Sequence, residues 1–75
     1  MNTSRLWINK EKRRYYKVMV YRDLLDDLVL MRNWGSLDTA RGGIKTEIVD
    51  HQQAMDLLVE IGRQRVKRNY EAVEG

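Results

Sequence analysis

The fold is decided by residues 43–61, GIKTEIVDHQQAMDLLVEI, where the spacing of the apolar residues changes. Over residues 43–49 apolar and polar side chains alternate. One side of the chain takes Ile44, Thr46 and Ile48, and the other takes Lys45 and Glu47. A period of two is typical of an antiparallel strand with one solvated side. We therefore place Lys45 on the solvated side of a strand.

The second part of the stretch has the period of a helix. Its apolar residues recur at intervals of three and four: Ala54, Leu57, Leu58 and Ile61. This spacing predicts a helix from about residue 51 to about residue 68, with these side chains buried on a sheet. Asp50 followed by Gln53 resembles a capping box. We expect Gly62 to pack closely on the sheet, and we expect three side chains to widen the stripe: Met55, Val59 and Val66.

Three further strands are predicted before this stretch, over residues 4–9, 15–22 and 28–35. The second is rich in aromatic and β-branched residues, and the third starts apolar on both sides, as an inner strand does. A loop with paired glycines, residues 36–43, leads into the alternating strand. The pattern predicts an α+β fold: an antiparallel sheet of three to five strands with one C-terminal helix packed across one face.

Length and composition limit the classes of protein. Seventy-five residues suffice for one domain, spanning 1–75 with its core at about 5–70. Cysteine is absent and His51 is the only histidine, which disfavours disulfides, metal sites and nucleophilic catalysis. We expect no enzymatic activity, no cofactor and no small-molecule substrate. Without a signal-like N-terminus or a long apolar run, we expect a cytoplasmic protein that contacts no membrane.

Two motifs, Arg32-x-Trp34-Gly35 and Arg41-Gly42-Gly43, resemble those of the WGR domain family, and so does the ending at 67–70, KRNY. The resemblance covers residues 15–70 and is to small stand-alone bacterial-type members and to the domain of poly(ADP-ribose) polymerases. It implies an antiparallel sheet with a helix packed on it. From the polymerases it also implies contact with DNA near a strand end, with the tryptophan on the sugar-phosphate backbone.

Ser36 stands where the family has the arginine of Trp-Gly-Arg. A guanidinium binds a phosphate through two charge-assisted hydrogen bonds, and a hydroxyl cannot replace them. We therefore expect weaker binding here than in members that keep the arginine.

Six residues form the candidate nucleic-acid site: Trp34, Arg32, Arg41, Lys45, Gly35 and Ser36. Trp34 either stacks on a base or sugar or packs into the sheet. The three cations either hold phosphates or form a solvated surface paired with Glu47 or Asp38. Gly35 either allows a close backbone approach or forms a bulge after Trp34. The basic runs at 10–14 and 63–68 either form a second phosphate-contacting patch or are an ordinary turn and helix end.

The net charge of +3 and the pI of about 9.4 permit binding to nucleic acid without proving it. Our leading hypothesis is a non-enzymatic module that binds the nucleic-acid backbone weakly and without reading sequence, with DNA preferred over RNA. The alternative is a protein–protein adaptor that uses the exposed sheet face or a sheet edge.

Overall fold

The computed structural model describes residues 2–73, and the ends of the predicted domain, residue 1 and residues 74–75, lie outside them. The elements are β1 (Thr3–Asn9), β2 (Arg14–Arg22), β3 (Leu28–Ser36), β4 (Gly42–Ile48), α1 (His51–Lys67) and β5 (Glu71–Val73). All strands are antiparallel in the order β4-β3-β2-β1-β5, which leaves β4 and β5 at the edges. The predicted α+β fold is confirmed.

The core lies between α1 and one face of the sheet. Its buried side chains include Val18, Val20 and Leu30 from the sheet and Ala54 and Ile61 from the helix. Leu57 and Leu58 are half-buried and pack against this cluster. The predicted helix and its apolar stripe are therefore confirmed.

The expected widening of the stripe is wrong. Met55, Val59 and Val66 are 44%, 61% and 68% exposed. At 100° per residue the buried face continues from Ile61 to the residue four positions later, and that residue is Arg65, which is buried. Gly62 is not closely packed either, since an added Cβ would only touch the Trp7 ring at 3.7 Å.

Both ends of α1 are capped by the sequence that flanks it. Asp50 accepts a hydrogen bond from the Gln53 N–H (2.8 Å), and the Gln53 side chain accepts one from the Asp50 N–H (2.9 Å), which confirms the capping box. At the other end Asn69 adopts a left-handed conformation, φ 65°, and the Tyr70 N–H donates to the Arg65 carbonyl (2.9 Å). This Schellman-type turn reverses the chain, so that Tyr70 packs on the core and β5 joins the sheet.

Strand β4 alternates as predicted, but its two faces are not placed as expected. Lys45 and Glu47 pair with Arg32 and Leu30 on the face that carries the helix. Lys45 is exposed there. Ile44 and Ile48 lie on the open face and are 65% and 68% exposed. The period fixed which side chains share a face, and packing fixed which face the helix covers.

No helix among residues 2–73 has the length and apolar character needed to cross a membrane.

Candidate nucleic-acid interface

A groove of about 860 Å³ opens on the helix side of the sheet, where the β1–β2 turn, the β3–β4 loop and the C-terminal end of α1 meet. Asn9 ties these parts together. It is 2% exposed, its Nδ2 donates to the Arg68 carbonyl (3.0 Å), and its Oδ1 accepts from the Lys12 N–H (2.9 Å). One buried amide thereby fixes the turn against the helix end and sets one wall of the groove.

All six candidate residues line this groove. The lining also contains four further cations, Lys12, Arg14, Arg65 and Arg68, and three tyrosines, Tyr15, Tyr16 and Tyr70. None of the lining residues in the described chain is acidic. The arrangement is a cationic groove with aromatic walls, and its use for binding stays a prediction.

Of the three candidate cations, only one is paired with a carboxylate among the described residues. Arg32 and Lys45 are cross-strand partners, and Arg32 Nη2 lies 3.2 Å from Glu47 Oε1. Within residues 2–73 neither Arg41 nor Lys45 forms an ion pair. The alternative of a paired surface therefore holds for Arg32, while Arg41 and Lys45 keep their charge available to a ligand.

Trp34 belongs to a row of aromatic rings. It stacks on Tyr16 with the ring centroids 6.2 Å apart and the planes 17° apart, and Tyr16 meets Trp7 edge-on at 6.4 Å. Trp34 nevertheless stays 38% exposed. The two interpretations of Trp34 are therefore compatible, because one part of the ring packs on the sheet and another part faces the groove.

Two glycines make room for this tryptophan and its loop. A Cβ added to Gly43 would lie 2.6 Å from Cζ2 of Trp34, so only a glycine allows the ring to lie this close to β4. A Cβ on Gly35 would lie 2.6 Å from the Arg41 carbonyl oxygen and 3.0 Å from the Tyr15 hydroxyl. The close backbone approach expected at Gly35 is confirmed.

Arg65 is the most buried of the groove cations that the sequence did not single out individually. It is 7% exposed, and its guanidinium carbon lies 4.1 Å from the Tyr16 ring centroid and 5.0 Å from that of Tyr70. Within residues 2–73 no carboxylate pairs with it, and its buried Nε has no hydrogen-bond partner. The Nε of Arg32 is buried and unpaired in the same way. Two unsatisfied cationic donors beside one groove favour an anionic ligand.

The comparison with protein families matches the WGR domain over residues 3–75. The chain belongs to the WGR domain family. Comparison with curated proteins and with solved structures returned no match. The predicted family is confirmed over almost the whole chain. Membership supports a nucleic-acid-binding module in general terms, without giving the way in which it binds.

In this WGR domain Ser36 stabilises the β3–β4 loop, which the glycines flank. Its Oγ accepts hydrogen bonds from the N–H groups of Asp38 (3.0 Å) and Thr39 (3.2 Å). Arg14 lies directly across the strand from Ser36, on the same face of the sheet. A cation therefore lies beside Ser36, but it is Arg14 of β2 and not an arginine within the Trp-Gly-Arg motif.

An ion pair fastens the same loop to the neighbouring turn. Arg13 Nη2 lies 3.0 Å from Asp38 Oδ1, and the Leu37 N–H donates to the Arg13 carbonyl (2.9 Å). The side-chain hydrogen bonds from Arg13 hold the pKa of the Asp38 carboxyl below its usual range. The same bonds raise the pKa of Arg13. Asp38 is therefore engaged outside the groove and does not neutralise Arg41 or Lys45.

Proposed function

We propose that this WGR domain is a non-enzymatic module that binds the sugar-phosphate backbone of nucleic acid, with DNA preferred over RNA. The observation that carries the proposal is the cationic groove, whose lining includes aromatic rings and, within the described chain, no acidic side chain. Phosphate contacts give affinity without sequence information, because every nucleotide presents the same charge.

The size and composition of the groove fit a nucleotide unit. Pockets for small ligands have volumes of about 300–1,000 Å³, and this groove falls within that range. The exposed part of Trp34 offers a stacking surface that tolerates any base or sugar. Arg41 and Lys45, which form no ion pair within residues 2–73, supply charge for phosphates on either side. Without an arginine at position 36 we expect dissociation constants of roughly 10⁻⁴–10⁻⁶ M at physiological salt.

The salt dependence of binding tests this proposal. If Arg41, Lys45 and Arg65, the groove cations described above as unpaired with any carboxylate within residues 2–73, contact about three phosphates, the slope of log K against log salt on duplex DNA should be about −3. Arg41→Ala should weaken binding to all sequences alike and reduce the magnitude of the slope by about one. The fold should be unaffected, because Arg41 is exposed and its side chain forms no ion pair within the described chain.

Arg22→Ala is the matched control for this measurement. Arg22 is exposed at the far end of β2 and lies outside the groove, yet its removal changes the net charge by the same amount. If both variants reduce the slope equally, the attraction comes from net charge and the groove is not the site. If no binding is detected at low salt, the proposal fails.

The open face of the sheet supports a second candidate function, a protein–protein adaptor. That face presents Ile44 and Ile48, which are both more than half exposed, and the turn after β2 presents Leu24 and Leu25, which are 104% and 82% exposed. If these apolar side chains form one contiguous patch, they would provide a contact surface for an apolar partner. Binding through them would depend little on salt, which distinguishes an apolar partner from nucleic acid.

A further inference from the structure

Strand β4 forms an open edge of the sheet, and over residues 44–48 its β-branched and charged side chains alternate strictly. It lies at one end of the strand order, so one row of its backbone groups has no neighbour within the described chain. The Val49 N–H donates to the Leu28 carbonyl and the Ser36 N–H to the Arg41 carbonyl, which shows that residues 41 and 49 face β3. Since facing alternates along an antiparallel strand, the N–H and C=O groups of Ile44, Thr46 and Ile48 point outward.

We propose that β4 pairs with β4 of a second copy of this chain, antiparallel and centred on Thr46. In this register Thr46 opposes Thr46 of the second copy, and Ile44 opposes Ile48. These are the residues whose backbone groups point outward, so each pair exchanges two hydrogen bonds. Lys45 then opposes Glu47 on the other face, in the closely spaced position between the hydrogen-bonded pairs.

The charges select this register over its neighbours. Shifting the centre to residue 45 would oppose Lys45 to Lys45, and shifting it to residue 47 would oppose Glu47 to Glu47. Like charges directly across a strand pair are destabilising. The register centred on Thr46 instead joins opposite charges twice and brings together isoleucines that are 65% and 68% exposed in the single chain. The strand is thus complementary to itself, as a two-fold interface requires.

The paired strands would form one continuous sheet of both copies. Side chains that oppose each other across an antiparallel pair leave the same face, so both helices and both grooves would lie on one side. The inference rests on the edge of β4, although Lys45 also lines the groove. It is therefore tested without nucleic acid, and its failure would leave the proposed function standing.

Sedimentation equilibrium combined with amide hydrogen exchange tests the pairing. The mass should rise from 9.0 kDa toward twice that value with concentration. As it rises, exchange should slow at the amides of Ile44, Thr46 and Ile48, while those of Lys45 and Glu47, already bonded to β3, should not change. A chain that stays monomeric at roughly 1 mM, where a contact worth about 4 kcal/mol is half-formed, overturns the proposal. A dimer in which slowed and unchanged amides do not alternate along β4 also overturns the proposal.

Complementary charge variants give a test that does not depend on the strength of the native dimer. Lys45→Glu and Glu47→Lys each place like charges opposite each other in a homodimer, and each should raise its dissociation constant about tenfold or more. An equimolar mixture of the two variants restores opposite charges and should form a heterodimer more tightly than either forms a homodimer. Equal association of the mixture and the single variants would overturn the register.

Thr46→Pro is a third variant, which keeps the proposal testable if a charge variant folds poorly. Proline removes the outward N–H at the centre of the pair, and that N–H makes no bond to β3 in the alternating pattern. The variant should keep its circular dichroism and lose association. A folded Thr46→Pro chain that still dimerises as the wild type does would contradict the proposal.

Discussion

Arg65 adds a positive charge to the groove from a buried position. Taking an unpaired cation out of water costs several kcal/mol, whereas stacking on aromatic faces returns about 0.5–2 kcal/mol. Tyr16 and Tyr70 supply the stacking, and within residues 2–73 no carboxylate completes the compensation. A bound phosphate would supply the missing negative charge. At the scale of one residue, the free-energy cost of burying Arg65 is thus most easily explained by a bound anion.

Replacing Arg65 separates this role from a structural one. Arg65→Met keeps an unbranched, apolar side chain between the tyrosines and removes the buried charge. We expect the free energy of unfolding in urea to be at least that of the wild type, because the relieved desolvation of the charge is as large as the lost stacking or larger. Affinity for an oligonucleotide should fall, and the slope against salt should lose about one unit.

Arg63→Met is the control for Arg65→Met. Arg63 is exposed on α1 and does not line the groove. The interpretation fails if Arg65→Met loses several kcal/mol of stability while its binding, corrected for the folded fraction, matches that of Arg63→Met.

At the scale of the helix, Gly62 is a position where stability can be gained. An added Cβ would make an ordinary contact with the Trp7 ring at 3.7 Å, and no positive φ requires glycine there. Alanine also loses less backbone entropy on folding. Gly62→Ala should raise the free energy of unfolding by about 0.5–1 kcal/mol, seen as a higher urea midpoint with an unchanged m-value.

Gly43→Ala is the same chemical change with the opposite expectation. Its Cβ would lie 2.6 Å from Trp34 Cζ2, so the ring must move, and both the near-ultraviolet dichroism and the stability should decrease. If Gly62→Ala destabilises the chain as much as Gly43→Ala does, then α1 needs its glycine for a reason other than the contact with Trp7.

The elements show where sequence patterns are informative and where they are not. Alternation and helical spacing placed β2, β3, β4 and α1: β2, β3 and α1 each bury a face, and β4 alternates apolar and polar side chains although none of its residues is buried. Strand β5 was not located, since its three residues are all exposed and it joins the sheet through backbone bonds to β1. Arg65 occupies an apolar position of α1, four residues after Ile61 and seven after Leu58. That spacing was the available signal, but the tyrosines that make the position suitable come from distant parts of the chain.

The candidate site illustrates the same limit. Trp34, Arg32 and the glycines were found from the motif, and cross-strand pairing brings Lys45 beside Arg32. The sequence could not show that Arg14 opposes Ser36 or that Arg68 and Tyr70 complete the groove. Those positions depend on the register of the sheet and on the turn at Asn69, which are fixed by tertiary packing.

At the scale of the whole molecule, charge is segregated. The groove gathers half of the chain's fourteen lysines and arginines, and no acidic side chain of the described residues lines it. Of the five ion pairs among the described residues, four lie outside the groove and are exposed pairs of small energetic value, and the fifth joins the groove residue Arg32 to Glu47. Cations that converge on one groove repel each other, so in the free protein this repulsion should lower the free energy of unfolding.

This repulsion predicts opposite effects of sodium chloride on the free and the bound protein. The Debye length falls from about 30 Å at 0.01 M salt to about 8 Å at 0.15 M, so added salt screens the cations of the groove from one another. The melting temperature of the free domain should therefore rise with salt over this range. A saturating oligonucleotide stabilises the folded state by mass action, and its affinity falls with salt, so the melting temperature of the complex should decrease over the same range. Differential scanning calorimetry measures both curves on the unmodified chain.

Two outcomes would contradict this prediction. A free domain whose melting temperature falls with salt would mean that its ion pairs outweigh the repulsion within the groove. Melting curves that shift with salt in parallel, with and without oligonucleotide, would mean that no phosphate reaches these cations.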